Sequence, residues 1–219
     1  MTGYMKQELD KKVALTLGKL GYSRLQKRVF KAPWGSDEVE HFVYLDWSQK
    51  FGTRISIRIG ICHRDAQIFA ATMLRKFGPL PLRDLLDLSD VGKDGCFIQF
   101  HLGNLCSWPF TWSLDPFEMG MDAYVREITD CLQGKLLPLV GHINNDPTMY
   151  EFLTQMRVKA LWPANGAVRA AEAIFIAKRL DYRQDKVMAD IEPFEAYIAS
   201  QIDRAMTVND YLTQVWSMA

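Results

Sequence analysis

The stretch GTRISIRIGICHRD, residues 52–65, places isoleucine at 55, 57, 59 and 61 and polar or small residues at 54, 56, 58, 60 and 62. Successive side chains of a β-strand point to opposite faces. The alternation predicts a strand whose isoleucines face the core, while Arg54, Ser56, Arg58, Gly60 and Cys62 share the other face. The strand ends on a thiol beside an imidazole, Cys62–His63. In a regular strand these two point apart and form no dyad; a bulge would change that.

Before this strand lies Glu38–Gln49, whose VEHFVYLDW is rich in β-branched and aromatic residues and predicts a second strand. A shorter one is expected over Gln26–Ala32. The turn sequences at 33–37 (PWGSD) and 50–52 are short, which favours an antiparallel meander. Residues 4–20 carry Met5, Leu9, Val13, Leu17 and Leu20 at helical spacing and stop at Gly21.

Beyond the opening stretch, residues 64–77 predict a helix ended by Gly78, Pro79 and Pro81. A short helix over 82–88 and a strand over Cys96–Leu102 follow, then an aromatic, proline-containing segment at 104–115. From Asp115 the periodicity is helical. One helix starts at Asp115–Pro116 and is broken by Pro138 and the GHINNDP that follows it; another runs from Asp146–Pro147 to about Met156. Ala167–Leu180 and Lys186–Met206 read as a helical hairpin, with a last helix over 208–217. The expected fold is α+β: an N-terminal helix plus a mostly antiparallel β-sheet, then a helical C-terminal part. Residues 1–114 form the sheet domain and 115–219 a helical domain packed against it.

Hydrophobic residues make up 48% of the 219 and charged residues 24%, enough apolar material for a sizeable core. The net charge is zero, without the basic excess of a nucleic-acid binder. The charge is unevenly spread: residues 1–62 hold 11 basic and 6 acidic side chains, residues 181–219 hold 3 and 7. The four cysteines, at 62, 96, 106 and 131, sit among apolar neighbours and read as reduced, core-packed thiols. No apolar run approaches the roughly 20 residues of a membrane span, and MTGYMKQELDKK has no signal-peptide core. The expectation is a soluble cytoplasmic protein without membrane contact.

Phosphate-loop, dinucleotide-binding, zincin, EF-hand, nucleophile-elbow and C-x-x-C motifs are all missing from the sequence. The one nucleophile candidate is Cys62, with His63, His41 or Asp46 as base or partner. The plainer reading is a small buried thiol beside a solvent-facing histidine. Cys96, His101 and Cys106 have zinc-ligand chemistry, but their spacing matches no common knuckle. No metal and no cofactor is expected.

Arg54 and Arg58 on one strand face, with Phe42, Tyr44 and Asp46 on the neighbouring strand, form a candidate partner-binding surface, since hot spots combine arginine with aromatics. The alternative is that this strand is covered on both faces. The acidic residues from Asp181 to Asp210 read as a solvated face or a polyanion mimic.

Residues 5–65 resemble a family of small bacterial domains of unknown function that open with a helix and run into a sheet. The resemblance rests on Leu20, Gly21, Tyr22, Phe30, Phe42, Leu45, Ser48, Ile57, Gly60 and Ile61. Members often occur beside polymorphic toxins, which implies an immunity-type role; the pattern carries no catalytic residues. The helical second half departs from the minimal domain. The combined reading is a non-enzymatic bacterial protein-binding protein, an immunity protein that neutralises a toxin. The alternatives are a cysteine-dependent hydrolase using Cys62 and a small-ligand sensor.

Overall fold

A computed structural model describes residues 3–48, 54–79, 96, 98–106, 120–155 and 166–219. The fold is α+β: an N-terminal helix, a five-stranded antiparallel sheet and a helical C-terminal part. The strands are β1 (Ser23–Gln26), β2 (Val29–Lys31), β3 (Val39–Ser48), β4 (Arg54–His63) and β5 (Ile98–His101), in spatial order β1-β2-β3-β4-β5. Sequence order and spatial order coincide, as a meander requires.

The strand expected over 26–32 is instead a hairpin. A turn at 27–28 folds β1 onto β2, pairing Arg24 with Phe30, and a bulge falls between Arg24 and Gln26. Phe30 then pairs with Val43 and Lys31 with Phe42. Gly21 ends the preceding helix at φ 89°, where a Cβ would also lie 2.9 Å from Pro33 Cγ, so only glycine fits.

The chain divides into two compact units, neither contiguous in sequence, so no single cut separates them. The first comprises Met1–Gly35, Glu40–Gly60 and Gln99–His142. Here α1 (Gly3–Lys19) buries Leu9, Val13 and Leu17, three residues four apart. It packs on α4 (Met121–Cys131), which buries Tyr124 and Ile128. A single turn, α3 (Gly103–Cys106), precedes α4 in the chain.

The helix ends at Val140, just before the GHINNDP that follows Pro138, as expected; Pro138 itself lies in its last turn. Leu137 donates its N–H to Leu132 O across a wide π turn, Leu132–Leu136, and α5 (Leu137–Val140) continues. The start expected at Asp115–Pro116 lies outside the described residues, as do the short helix at 82–88 and most of 104–115.

The expectation of four reduced thiols fails for two of them: Cys106 and Cys131 form a disulfide, with Cα atoms 6.1 Å apart. They lie 25 positions apart in sequence, so only the tertiary fold brings them together. Cys62 and Cys96 are free and buried.

The second unit comprises Ser36–Val39, Ile61–Ile98 and Ile143–Ala219. Its centre is α7 (Gly166–Arg179), which contacts α2 (Arg64–Phe77), α6 (Asp146–Thr154), α8 (Gln184–Ile191), α9 (Glu195–Ala199) and α10 (Val208–Met218). Small residues at 166, 167, 170, 171, 173 and 177 let these neighbours approach; a Cβ on Gly166 would sit 2.7 Å from the Tyr197 backbone. The long helix expected over Lys186–Met206 is split near Pro193 by a 3₁₀ turn, Glu192–Phe194, because proline cannot donate to the preceding turn.

Two charged residues lie inside this helical packing. Arg169 and Glu172 are 2% and 1% exposed. Arg169 donates from Nη2 to Phe152 O at 3.1 Å and lies 5.4 Å over the Phe152 ring. Neither carboxyl oxygen of Glu172 has a hydrogen-bond partner among the described residues. Burial pushes the Glu172 carboxyl up to about 8, against the opposing pull of Arg169.

Candidate binding surface

The chain leaves β4 at His63 and enters α2 at the next residue. His63 is fully buried, not solvent-facing as the sequence implies, because it caps the helix from inside. Its Nδ1 accepts the Ala66 N–H at 3.3 Å. A backbone amide can only donate, so the ring proton sits on Nε2 and is donated to Asp146 Oδ1 at 2.9 Å. Both ring nitrogens are thus occupied structurally. Cys62 is 1% exposed, and no base is hydrogen-bonded to its sulfur among the described residues. His41 is buried on β3, edge-on to Trp34 at 6.4 Å between ring centroids.

A thiolate nucleophile needs a base and access, and this arrangement supplies Cys62 with neither. Cys62 should therefore stay unlabelled by iodoacetamide at neutral pH in the native protein and label fully in denaturant. Rapid, selective native labelling, read by peptide mass spectrometry, would restore the hydrolase reading.

Asp146 also receives Arg179 Nε on its second oxygen, at 3.0 Å. The same guanidinium meets Glu38 at 2.6 Å and Asp65 at 3.6 Å. Glu38, His63 and Asp146 each offer a ligand atom within 4.8 Å of one another, a set with metal-ligand chemistry. The cation among these groups is Arg179, whose pKa is raised chiefly by its hydrogen bond to Glu38. A metal would have to displace the guanidinium and take His63 Nε2 from Asp146. Of the other zinc candidates, Cys106 is bonded to Cys131, and His101 Nδ1 shares a 2.7 Å hydrogen bond with Ser56 Oγ.

Sequence reasoning paired Arg58 with Tyr44 and Asp46, and the structure brings these together. Arg58 donates to Asp46 and to Gln99, and its guanidinium lies 5.4 Å from the Tyr44 ring centroid. Ser56 and His101 continue this polar strip across β4 and β5. Desolvation first, and then the Arg58 charge, pull the His101 imidazole below its usual value. Sequence reasoning named His101 only as a zinc candidate and passed over Gln99, because β5 is remote from β4 in the chain and carries no pattern naming its neighbour.

The aromatic part of the expected surface lies inside. Phe42 and Tyr44 stack at 6.1 Å between centroids and are each 6% exposed. β3 is apolar on both faces because both are covered, so these rings pack within the protein and do not anchor a partner. The Arg54 side chain lies outside the described residues.

The open apolar surface is elsewhere in the first unit. One face of α1 and the β1–β2 hairpin enclose a groove of about 650 Å³. Ala14, Leu15, Gly18, Tyr22 and Phe30 supply its apolar lining. Lys11, Lys12 and Arg24 stand around it, with Glu8 the one acid. Leu15 is 62% exposed. A Cβ on Gly18 would meet nothing within 4 Å, so no packing among the described residues requires glycine there. Glycine in a helix costs about 1 kcal/mol relative to alanine, and here that cost opens the groove. The signal available in the sequence was Leu15 itself, out of phase with the 9-13-17 stripe.

Lys11 forms no ion pair among the described residues, and Arg24 donates only to the carbonyls of Gln26 and Lys27. Lys12 pairs with Asp122, which is itself largely exposed. Among the described residues no helix is long and apolar enough to cross a membrane. Compared with protein-family models, curated proteins and solved structures, the chain has no significant match in any of the three.

Proposed function

We propose that this chain is a non-catalytic protein-binding protein that recognises its partner through the groove between α1 and the β1–β2 hairpin. The observation that carries the reading is an exposed apolar floor, with Leu15 standing in solvent and Gly18 leaving space above the helix, edged by Lys11 and Arg24, which form no ion pair among the described residues, and by Lys12, whose partner Asp122 is itself exposed. Contiguous apolar surface rimmed by charge marks interaction sites on proteins. The buried state of Cys62 and the structural use of His63 weigh against the thiol-hydrolase alternative.

The resemblance of residues 5–65 to immunity-type domains makes a bacterial toxin the partner to test first, with the cytoplasm as the site of action. There the Cys106–Cys131 pair would face a reducing thiol pool. Co-expression with a toxin encoded beside it should yield a stable complex on size-exclusion chromatography and restore cell growth. Absence of both complex and protection would end the immunity reading.

A further inference from the structure

Resting on the protein-binding reading, we infer that the groove takes a single amphipathic α-helix of the partner, carrying acidic residues along both edges of its apolar stripe. The groove-lining residues Glu8 to Gly18 span eleven residues of α1, a rise of about 15 Å or nearly three turns. A trough of that length matches one helix face rather than a loop tip. Ala14 and Gly18, four apart on the same stripe, remove side-chain bulk where a second helix axis would cross. Helices pack at 8–10 Å between axes, the nearer end of which needs small residues at the contact.

A strand is the less suitable occupant, although β1 is the sheet edge and all four of its residues are exposed. Strand addition needs a regular row of free backbone groups. Here a bulge interrupts β1 between Arg24 and Gln26, and the Arg24 side chain already donates to Gln26 O at 3.2 Å and Lys27 O at 2.5 Å. Those contacts hold the guanidinium over the Phe30 ring, 5.8 Å from its centroid, on the hairpin wall.

Charge sets the partner's sign. Lys11 and Lys12 lie on the helix wall and Arg24 opposite, against Glu8 alone. Lys12 is held by Asp122 at 2.6 Å, but this pair lies at the surface, where such bridges contribute little and exchange readily. A partner glutamate or aspartate would thus meet cations on both sides of the apolar floor, an arrangement that steers association and fixes register.

The test uses the full chain and a displayed library of roughly 15-residue helical peptides with leucine on one face and randomised flanks, long enough to form a helix on docking. The chain should enrich peptides with glutamate or aspartate on both flanks, and affinity should fall as salt rises. Gly18→Trp fills the open space, keeps a helix-compatible backbone and should abolish enrichment while circular dichroism stays native. Leu15→Glu supplies a second variant with the same expected loss. The double change Lys11→Glu, Arg24→Glu should weaken selected acidic peptides by about tenfold or more and favour basic ones.

Enrichment of basic or uncharged peptides, no enrichment at all, or selection unaffected by both Gly18→Trp and Leu15→Glu would overturn the inference. A toxin complex that survives both substitutions would do the same while leaving the protein-binding reading standing. Loss of the complex in the wild-type chain would instead remove the reading beneath it.

Discussion

Replacing Glu172 with methionine should make the protein more stable, and the gain should widen as pH rises. Glu172 is fully buried on the central helix α7, with no hydrogen-bond partner for either oxygen among the described residues. Its pKa is raised from 4.5 to about 8, mainly by desolvation. Between those values the folded protein keeps a proton that the unfolded chain has released. The unfolded state therefore gains with pH while the folded state does not, and wild-type stability falls through this window.

The slope is about 1.4 kcal/mol per pH unit, on the order of 3 kcal/mol by pH 7. Methionine is close to glutamate in volume and has no proton to lose, so the Glu172→Met curve should be flat where the wild type declines. Arg169 loses little by the change below pH 8, because its neighbour is mostly uncharged there. Denaturant midpoints at pH 5, 7 and 8 measure the difference. A gain that does not depend on pH, or a loss at pH 8, would contradict this account of Glu172.

Asp146→Ala should have the largest destabilising effect outside the apolar core. Asp146 accepts from His63 Nε2 and pairs electrostatically with Arg179 Nε, and it lies in the first turn of α6, where a carboxylate faces the helix dipole. Arg179 keeps Glu38 and Asp65 when Asp146 is removed, but the buried His63 Nε2 donor loses its acceptor and has no other among the described residues; the α2 cap engages only the far nitrogen. An orphaned buried donor, a lost charge-assisted bond and a lost helix-terminal charge together cost about 2–4 kcal/mol. Asp146→Asn preserves an acceptor for His63 and should cost about 1 kcal/mol, the net worth of a typical hydrogen bond. Urea unfolding of the two variants separates these cases; equal losses would mean that the acceptor role is not what matters.

Much of the architecture was legible because alternation and helical spacing are local. The isoleucines from 55 to 61 give β4, and the helix over 64–77 begins and ends where its residues say it should. The aromatic-rich run gives β3 to within a residue or two. The hairpin at 23–31 was merged into one strand because a two-residue Lys27–Arg28 turn carries no glycine, proline or asparagine to mark it. Pro138 and the GHINNDP after it mark the end of that helix at Val140, while the π turn just before has no sequence signature.

The candidate site was less legible. Arg58, Tyr44 and Asp46 were grouped correctly, and of the two readings of that strand, an open face or cover on both faces, burial supports the second for Phe42 and Tyr44. An alternating strand states which residues share a face, while burial of that face depends on what else the chain lays over it. Arg169 and Glu172 show the same difficulty in reverse: charged residues one turn apart normally mark a solvated face, and here they are enclosed by neighbours that the spacing cannot announce.

By itself the sequence determined the α+β class, the meander order of the first strands and the helical character of the C-terminal part, because each follows from the period of nearby residues. Only the tertiary structure decided that His63 caps a helix and holds Asp146, that Cys106 meets Cys131, and that Leu15, Gly18, Arg24 and Phe30 surround one groove. Those outcomes depend on residues distant in the chain meeting in space, and short-range periodicity holds no record of such meetings.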